Sequence, residues 1–172
     1  MTTTTEQAND LLAIFLNDQL ALGIGYRELA HRNAKSNAGT PLGDASERVA
    51  RGIAEDVETF EGIMARLGVA KSPVKGPLAI AGERLARLKL NGRLTSYSPL
   101  SRFLELDLLT IGLAGKPQLW TTLRDLAGLG GRMPDVDFDG LIRRAQEQHD
   151  TLEPFREQAG RHAFGVAPSG GG

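Results

Sequence analysis

VAKSPVKGPLAIAGERLARLKLNGRLTSYS, residues 69–98, is the stretch that decides the fold. It is 30 residues long and interrupts an otherwise helical pattern. Lys71-Ser72-Pro73 and Gly76-Pro77 break any continuing helix. Between Pro77 and Asn91 the pattern predicts a short helix, with Pro77 in its first turn and Asn91-Gly92 at its exit. Two helix-patterned stretches precede this segment and two follow it. A helical hairpin, a long crossing and a second hairpin make a four-helix bundle with one long crossover. The expected fold is therefore all-α, with the crossover and its short helix between helices two and three. One domain is expected over residues 1–164, followed by a Gly-, Pro- and Ser-rich tail at 165–172 that is expected to be disordered.

The flanking helices carry readable signals. The first is expected from about Glu6 to about Lys35, with Thr4 and Gln7 as a capping box. Its inward stripe reads Leu11, Phe15, Asp18, Leu22. Ser36 to Gly43 reads as a turn, with Asp44 as the next cap and Glu47 at the third position. Helix two then presents Val49, Ile53, Asp56 and Phe60, and stops at Gly68. Helix three opens at Ser98-Pro99 and presents Leu100, Leu104, Asp107 and Ile111. Gly115-Lys116-Pro117 is expected to kink or split it. Gln118 to Ala127 continues as an amphipathic piece with Trp120, Leu123 and Leu126 on one side, and Gly128 to Pro134 is expected as a loop. Asp137 caps helix four, whose stripe reads Ile142, Ala145, His149, Leu152, with Pro154 inside the pattern.

Composition removes several function classes. The net charge is −1, so no broad field draws nucleic acid or an anionic membrane. Aromatic residues are only 5% of the chain, which leaves no stacking surface for single strands. The absence of cysteine excludes disulfides, zinc ribbons and thiol catalysis. The longest apolar runs fall far short of a membrane span, and a cytoplasmic location is expected. There is no nucleophile elbow, phosphate loop or dinucleotide fingerprint. Arg84, Arg87, Lys89 and Arg93 on the crossover helix read as a solvated face before they read as a patch for an acidic partner.

The sharpest chemical feature is one polar residue on each stripe: Asp18, Asp56, Asp107 and His149. Three carboxylates and an imidazole on inward faces would suit a hard-to-borderline metal. Their heights argue against one cluster, because Asp18 and Asp56 are offset by about six residues, roughly 9 Å along a helix. A second candidate is Glu28 with His31, three apart on one helical face. Glu55, Glu58 and Glu105 could complete it. The candidate metal ligands are therefore Glu28, His31, Glu55, Glu58, Glu105, Asp107 and His149, with iron or manganese as the metal, although no cofactor is the default expectation. The arginines offer an alternative, as partners for stripe-edge carboxylates.

The chain resembles the ferritin-like superfamily over residues 8 to 160, and most of all its small stress-associated bacterial branch. The resemblance rests on Phe15-Leu16-Asn17-Asp18-Gln19-Leu20, on Glu55-Asp56-Val57-Glu58-Thr59-Phe60-Glu61, and on Phe103-Leu104-Glu105-Leu106-Asp107. Thr121 to Ala127 is similar in pattern. The metal-binding form of that family pairs an acidic residue with a nearby histidine on the second and fourth helices. Here the second helix has no histidine, and Gln146 stands three before His149. Glu28, Glu105 and His149 are what the resemblance carries over, and it implies a lost or altered metal site.

Three functions follow as expectations. The first is a metal-poor bundle in stress-related interaction or assembly, as a dimer through an apolar strip around Trp120. Its protein partner is left open. The second is a diiron or dimanganese oxidase, or an iron-handling protein, using the carboxylates and His149. The third is a binding module with a small hydrophobic ligand between the helices, for which Gly23 and Gly25 leave room.

Overall fold

A computed structural model describes residues 2–72 and 98–165, with side chains from residue 7 onward. Its elements are α1 (Thr2–Ser36), α2 (Pro41–Arg66), α3 (Pro99–Thr121), a π segment (Thr122–Leu126), α4 (Leu129–Arg132) and α5 (Phe138–Phe164). No strand occurs among the described residues. No described helix is long and apolar enough to cross a membrane. The short helix expected between Pro77 and Asn91, its basic residues and the 166–172 tail lie outside the described residues.

Side-chain pairs give the helix directions. α1 and α2 form a hairpin through the turn at 37–40, and Ser46 donates to Asn33 across it at 2.8 Å. α3 and α5 are also antiparallel: Phe103 meets Phe164 at 5.1 Å between ring centroids, and Asp107 meets Arg156 at 3.3 Å. α3 runs antiparallel to α1, since Asn33 donates to Glu105 at 3.2 Å while Tyr26 lies over Gly112. α5 runs antiparallel to α2: Arg66 binds Asp135 in a fork, and Gln148 donates to Asp56. α2 and α3 therefore run in the same direction. Phe60 sits 5.9 Å from Trp120 between ring centroids. Parallel neighbours cannot be joined by a tight turn. The end of α2 and the start of α3 therefore lie at opposite ends of α2, about 35–40 Å apart at the helical rise.

The caps at Ser98 and Asp137 are as expected. Ser98 accepts from the Ser101 amide at 3.1 Å, and Asp137 from Gly140 at 2.8 Å. Gly68 takes φ +69°, the left-handed stop that any side chain would strain. Three expectations need correction. Thr40, not Asp44, caps α2; its hydroxyl accepts from Gly43 at 3.1 Å, because Pro41 starts the helix four residues earlier than the Asp44–Glu47 pattern suggested. α3 is not split at Gly115-Lys116-Pro117; the helix runs through it with Pro117 inside. The irregularity comes later, as the π segment, closed by the Ala127 amide on the Thr122 carbonyl at 2.9 Å. That wider winding turns Leu126 away from Leu123, so Leu126 is 84% exposed rather than part of the apolar side. The 128–134 loop also contains the single turn α4.

The core seam is cleanest on α2, where Val49, Ile53, Asp56, Phe60 and Ile63 follow heptad spacing and are all buried. α3 buries Leu106, Leu109, Leu113 and Trp120, and α5 buries Leu141, Ala145, Gln148 and Leu152. The expected stripes of α1 and α3 are therefore out of register, while on α5 Ala145 and Leu152 are buried as expected and His149 is not. Leu11, Leu22, Leu100 and Ile111 are exposed. α3 carries leucines on several faces, so its sequence supports more than one stripe.

Gly62 lies on the solvent side of α2, and a Cβ there meets nothing within 4 Å. Gly62→Ala should stabilise the fold by about 0.5–1 kcal/mol, seen as a raised urea midpoint at constant m-value. An unchanged or lowered midpoint would contradict this placement.

Candidate functional site

Three helices each place one polar residue on the core seam at the same level: Asp56 on α2, Lys116 on α3 and Gln148 on α5. The Asp56 side chain is 1% exposed and that of Lys116 14%. Lys116 Nζ donates to Asp56 Oδ2, and to Gln148 Oε1 at 2.8 Å. Gln148 Nε2 donates to the same Asp56 oxygen at 3.1 Å. Arg144, one turn before Gln148, donates to Asp56 Oδ1 and also to Glu55 at 3.1 Å. The buried carboxylate thus faces two cations and an amide. Burying an ionised carboxylate without such partners would be prohibitive. Burial pushes the Lys116 ammonium below the ordinary lysine value of 10.5; Asp56 opposes this shift, and repulsion from Arg144 adds to it.

Beside this network lies a cleft of about 250 Å³ between α1, α2 and α3. Its walls are largely apolar, with Leu20 and Gly23 from α1, Val57 and Phe60 from α2, and Leu119 and Trp120 from α3. Asp56 and Lys116 stand in the lining, with Gln19 and Tyr26 contributed by α1. Burial raises the Tyr26 phenol above its ordinary value. Trp120 is 1% exposed. Its indole N–H has no acceptor among the described residues, so packing against Phe60 holds the ring in place. The apolar strip expected around Trp120 for self-association is therefore not a surface feature. The ring lies on the buried side of α3, one turn after Lys116.

The seven expected metal ligands are dispersed. Glu28 is exposed and pairs with Arg27 at 3.1 Å; His31 and Glu58 are exposed. Glu55 is exposed on Arg144. Glu105 is buried, but meets Arg32 at 3.0 Å and the Asn33 amide. Asp107 is half-buried on Arg156, which also forks onto Glu153 and holds that carboxyl below the usual range. His149 is half-buried beside Asp150 at 3.1 Å. Asp18 is exposed, which separates it from Asp56. Among the described residues, no three His, Asp or Glu converge to hold a metal ion. Glu28, Glu55, Glu105 and Asp107 each meet an arginine.

Of the stripe residues singled out, only Asp56 lies inside the network. Gln148, one residue before the expected His149, faces inward instead. Lys116 falls within a Gly-Lys-Pro helix-breaking pattern, yet it also stands at heptad spacing on the Leu109–Leu113–Trp120 seam. A lysine there predicts an anion on a facing seam.

Two outcomes test the network. Asp56→Ala leaves Lys116 buried without its anion, at a cost of about 3–5 kcal/mol, whereas Asp56→Leu with Lys116→Met should recover most of it. Urea unfolding would show this, and additive losses would refute the coupling. The unfolded chain holds the Lys116 proton up to its ordinary pKa of 10.5, while the folded chain releases it earlier. Stability relative to Lys116→Met should therefore rise with pH through the window that ends there. A difference that stays flat between about pH 7 and about pH 10 would show that the folded state keeps the proton.

A scan against protein-family models, a search of curated proteins and a search of solved structures each return no match. The chain's own geometry therefore carries the functional reading.

Proposed function

We propose that this chain is a ferritin-like helical bundle that works as a binding module for a small hydrophobic molecule, not through a diiron centre. The antiparallel hairpins with a long crossover between parallel α2 and α3 support the ferritin-like layout. The observation that carries the function is the apolar cleft bordered by a buried lysine. Ligand sites combine mostly apolar walls with a few placed polar groups, and this cleft has that character. Its volume suits a molecule on the order of ten non-hydrogen atoms, at a liquid-like 20–30 Å³ each, roughly the share of one water. The Lys116–Asp56–Gln148 network serves as a polar end wall. It fixes α2, α3 and α5 around the core while α1 closes the other side.

Trp120 is the only tryptophan, so its emission reports the cleft directly. Titration with the neutral probes 3-phenylpropanol and 3-phenylpropanamide should give a saturable change, with Kd of about 0.1–1 mM for molecules this small. Gly115 lines the cleft, and a Cβ there meets nothing within 4 Å. Gly115→Phe should weaken both probes about tenfold, or 1.4 kcal/mol. If neither probe perturbs Trp120 in a saturable way, the binding reading fails.

A further inference from the structure

The headgroup chemistry of the cleft can be read from its donors and acceptors. An ammonium has three N–H donors. Lys116 spends one on Asp56 and one on Gln148. The third has no acceptor among the described residues, and Lys116 lies in the cleft lining. Asp56 is already engaged on both oxygens: Oδ1 by Arg144, and Oδ2 by Lys116 and Gln148. The lining therefore offers a donor where it meets this network. Arg144, a third exposed, shares its charge between Asp56 and Glu55, so Lys116 is the cation that faces the cleft. Glu55, the second partner of Arg144, stands in solvent.

A second donor comes from the opposite wall. The Tyr26 ring rests on Gly112, where a Cβ would overlap it. Gly112 is one helical turn before Lys116 on the same face of α3. The Tyr26 hydroxyl makes no hydrogen bond among the described residues, and Tyr26 also lines the cleft. An ammonium hydrogen and a phenol hydrogen in the lining of one apolar cleft suit a single acceptor group with two oxygens.

We propose that the cleft binds a small apolar monocarboxylate whose carboxylate accepts hydrogen bonds from Lys116 Nζ and Tyr26 Oη while its hydrocarbon part packs towards Trp120 and Phe60. The proposal rests on the ligand-binding reading above and names the ligand class for the same site. Charge-assisted hydrogen bonds of this kind are the stronger ones. The apolar walls then limit the ligand to one charged end. A dianion would place its second charge among leucines and aromatic rings.

The test compares 3-phenylpropanoate with 3-phenylpropanamide, which have the same shape and differ in charge. Both are titrated against Trp120 emission and by calorimetry. In the unaltered chain the acid should bind at least about tenfold tighter than the amide, or 1.4 kcal/mol. Lys116→Met should bring that ratio close to one. Tyr26→Phe, which leaves the charge network intact, should weaken the acid by about threefold to tenfold and the amide less. Equal affinities in the unaltered chain, or a tighter amide, would overturn the carboxylate assignment and leave the binding reading standing. An acid preference that survives Lys116→Met would overturn the role of that lysine. Failure of both probes to bind would remove the binding reading itself. The comparison in the unaltered chain and in Tyr26→Phe decides the matter even if Lys116→Met does not fold.

Discussion

A carboxylate sealed from water must be neutralised, and the requirements of Asp56 organise this bundle. Its partners come from two other helices at one level: Lys116 from α3, Arg144 and Gln148 from α5. Hydrophobic seams alone tolerate a slip, because one leucine packs much like another. A hydrogen-bonded triad of distinct residues does not. Sliding α3 by one turn would strand an ammonium opposite a side chain that cannot accept from it. The network is therefore best understood as fixing helix register and pairing, with a modest net contribution to stability. The polar hub at the other end of the bundle, where Asn33 joins Ser46 and Glu105, ties α1, α2 and α3 in a similar way.

The same requirement shapes the surroundings. α1 supplies no charge to the Asp56 network and meets α3 near it through Tyr26 and Gly112. Where α1 faces the network, Gly23 and the Tyr26 ring border the cleft instead of a filled seam. The counter-charge that a metal ion would supply in a carboxylate-lined bundle comes here from a lysine and an arginine. The other acidic residues that suggested metal chemistry are mostly on arginines too: Glu28 on Arg27, Glu105 on Arg32, Asp107 on Arg156. A carboxylate already matched by a guanidinium has little reason to gather around a cation.

Much of the fold was legible in the chain. Ser98-Pro99, Asp137 and Gly68 are helix signals with local causes, and all three act where the pattern placed them. The stripe of α2 was readable because its apolar residues keep to one face. α3 and α5 were harder. Leu104, Leu106, Leu108 and Leu109 spread around α3, so the residue facing inward was underdetermined, and Asp107 was placed on a seam that Lys116 occupies. On α5 Ala145 and Leu152 face inward as the stripe predicts, but Gln148 rather than His149 lies between them. The π segment left no mark that a regular helical period could detect, and it decides that Leu126 faces solvent.

What the sequence determined by itself was local: which segments are helical, where they start and stop, and that two hairpins are separated by a stretch long enough to reverse direction. Capping, glycine conformation and apolar period act within one or two turns, so they can be read along the chain. The tertiary structure alone decided which polar residues share a neighbourhood. Asp56, Lys116 and Gln148 are 60 and 32 residues apart in order, and their meeting depends on the phase and height of three separate helices. No local rule sets those quantities; packing of the whole core does.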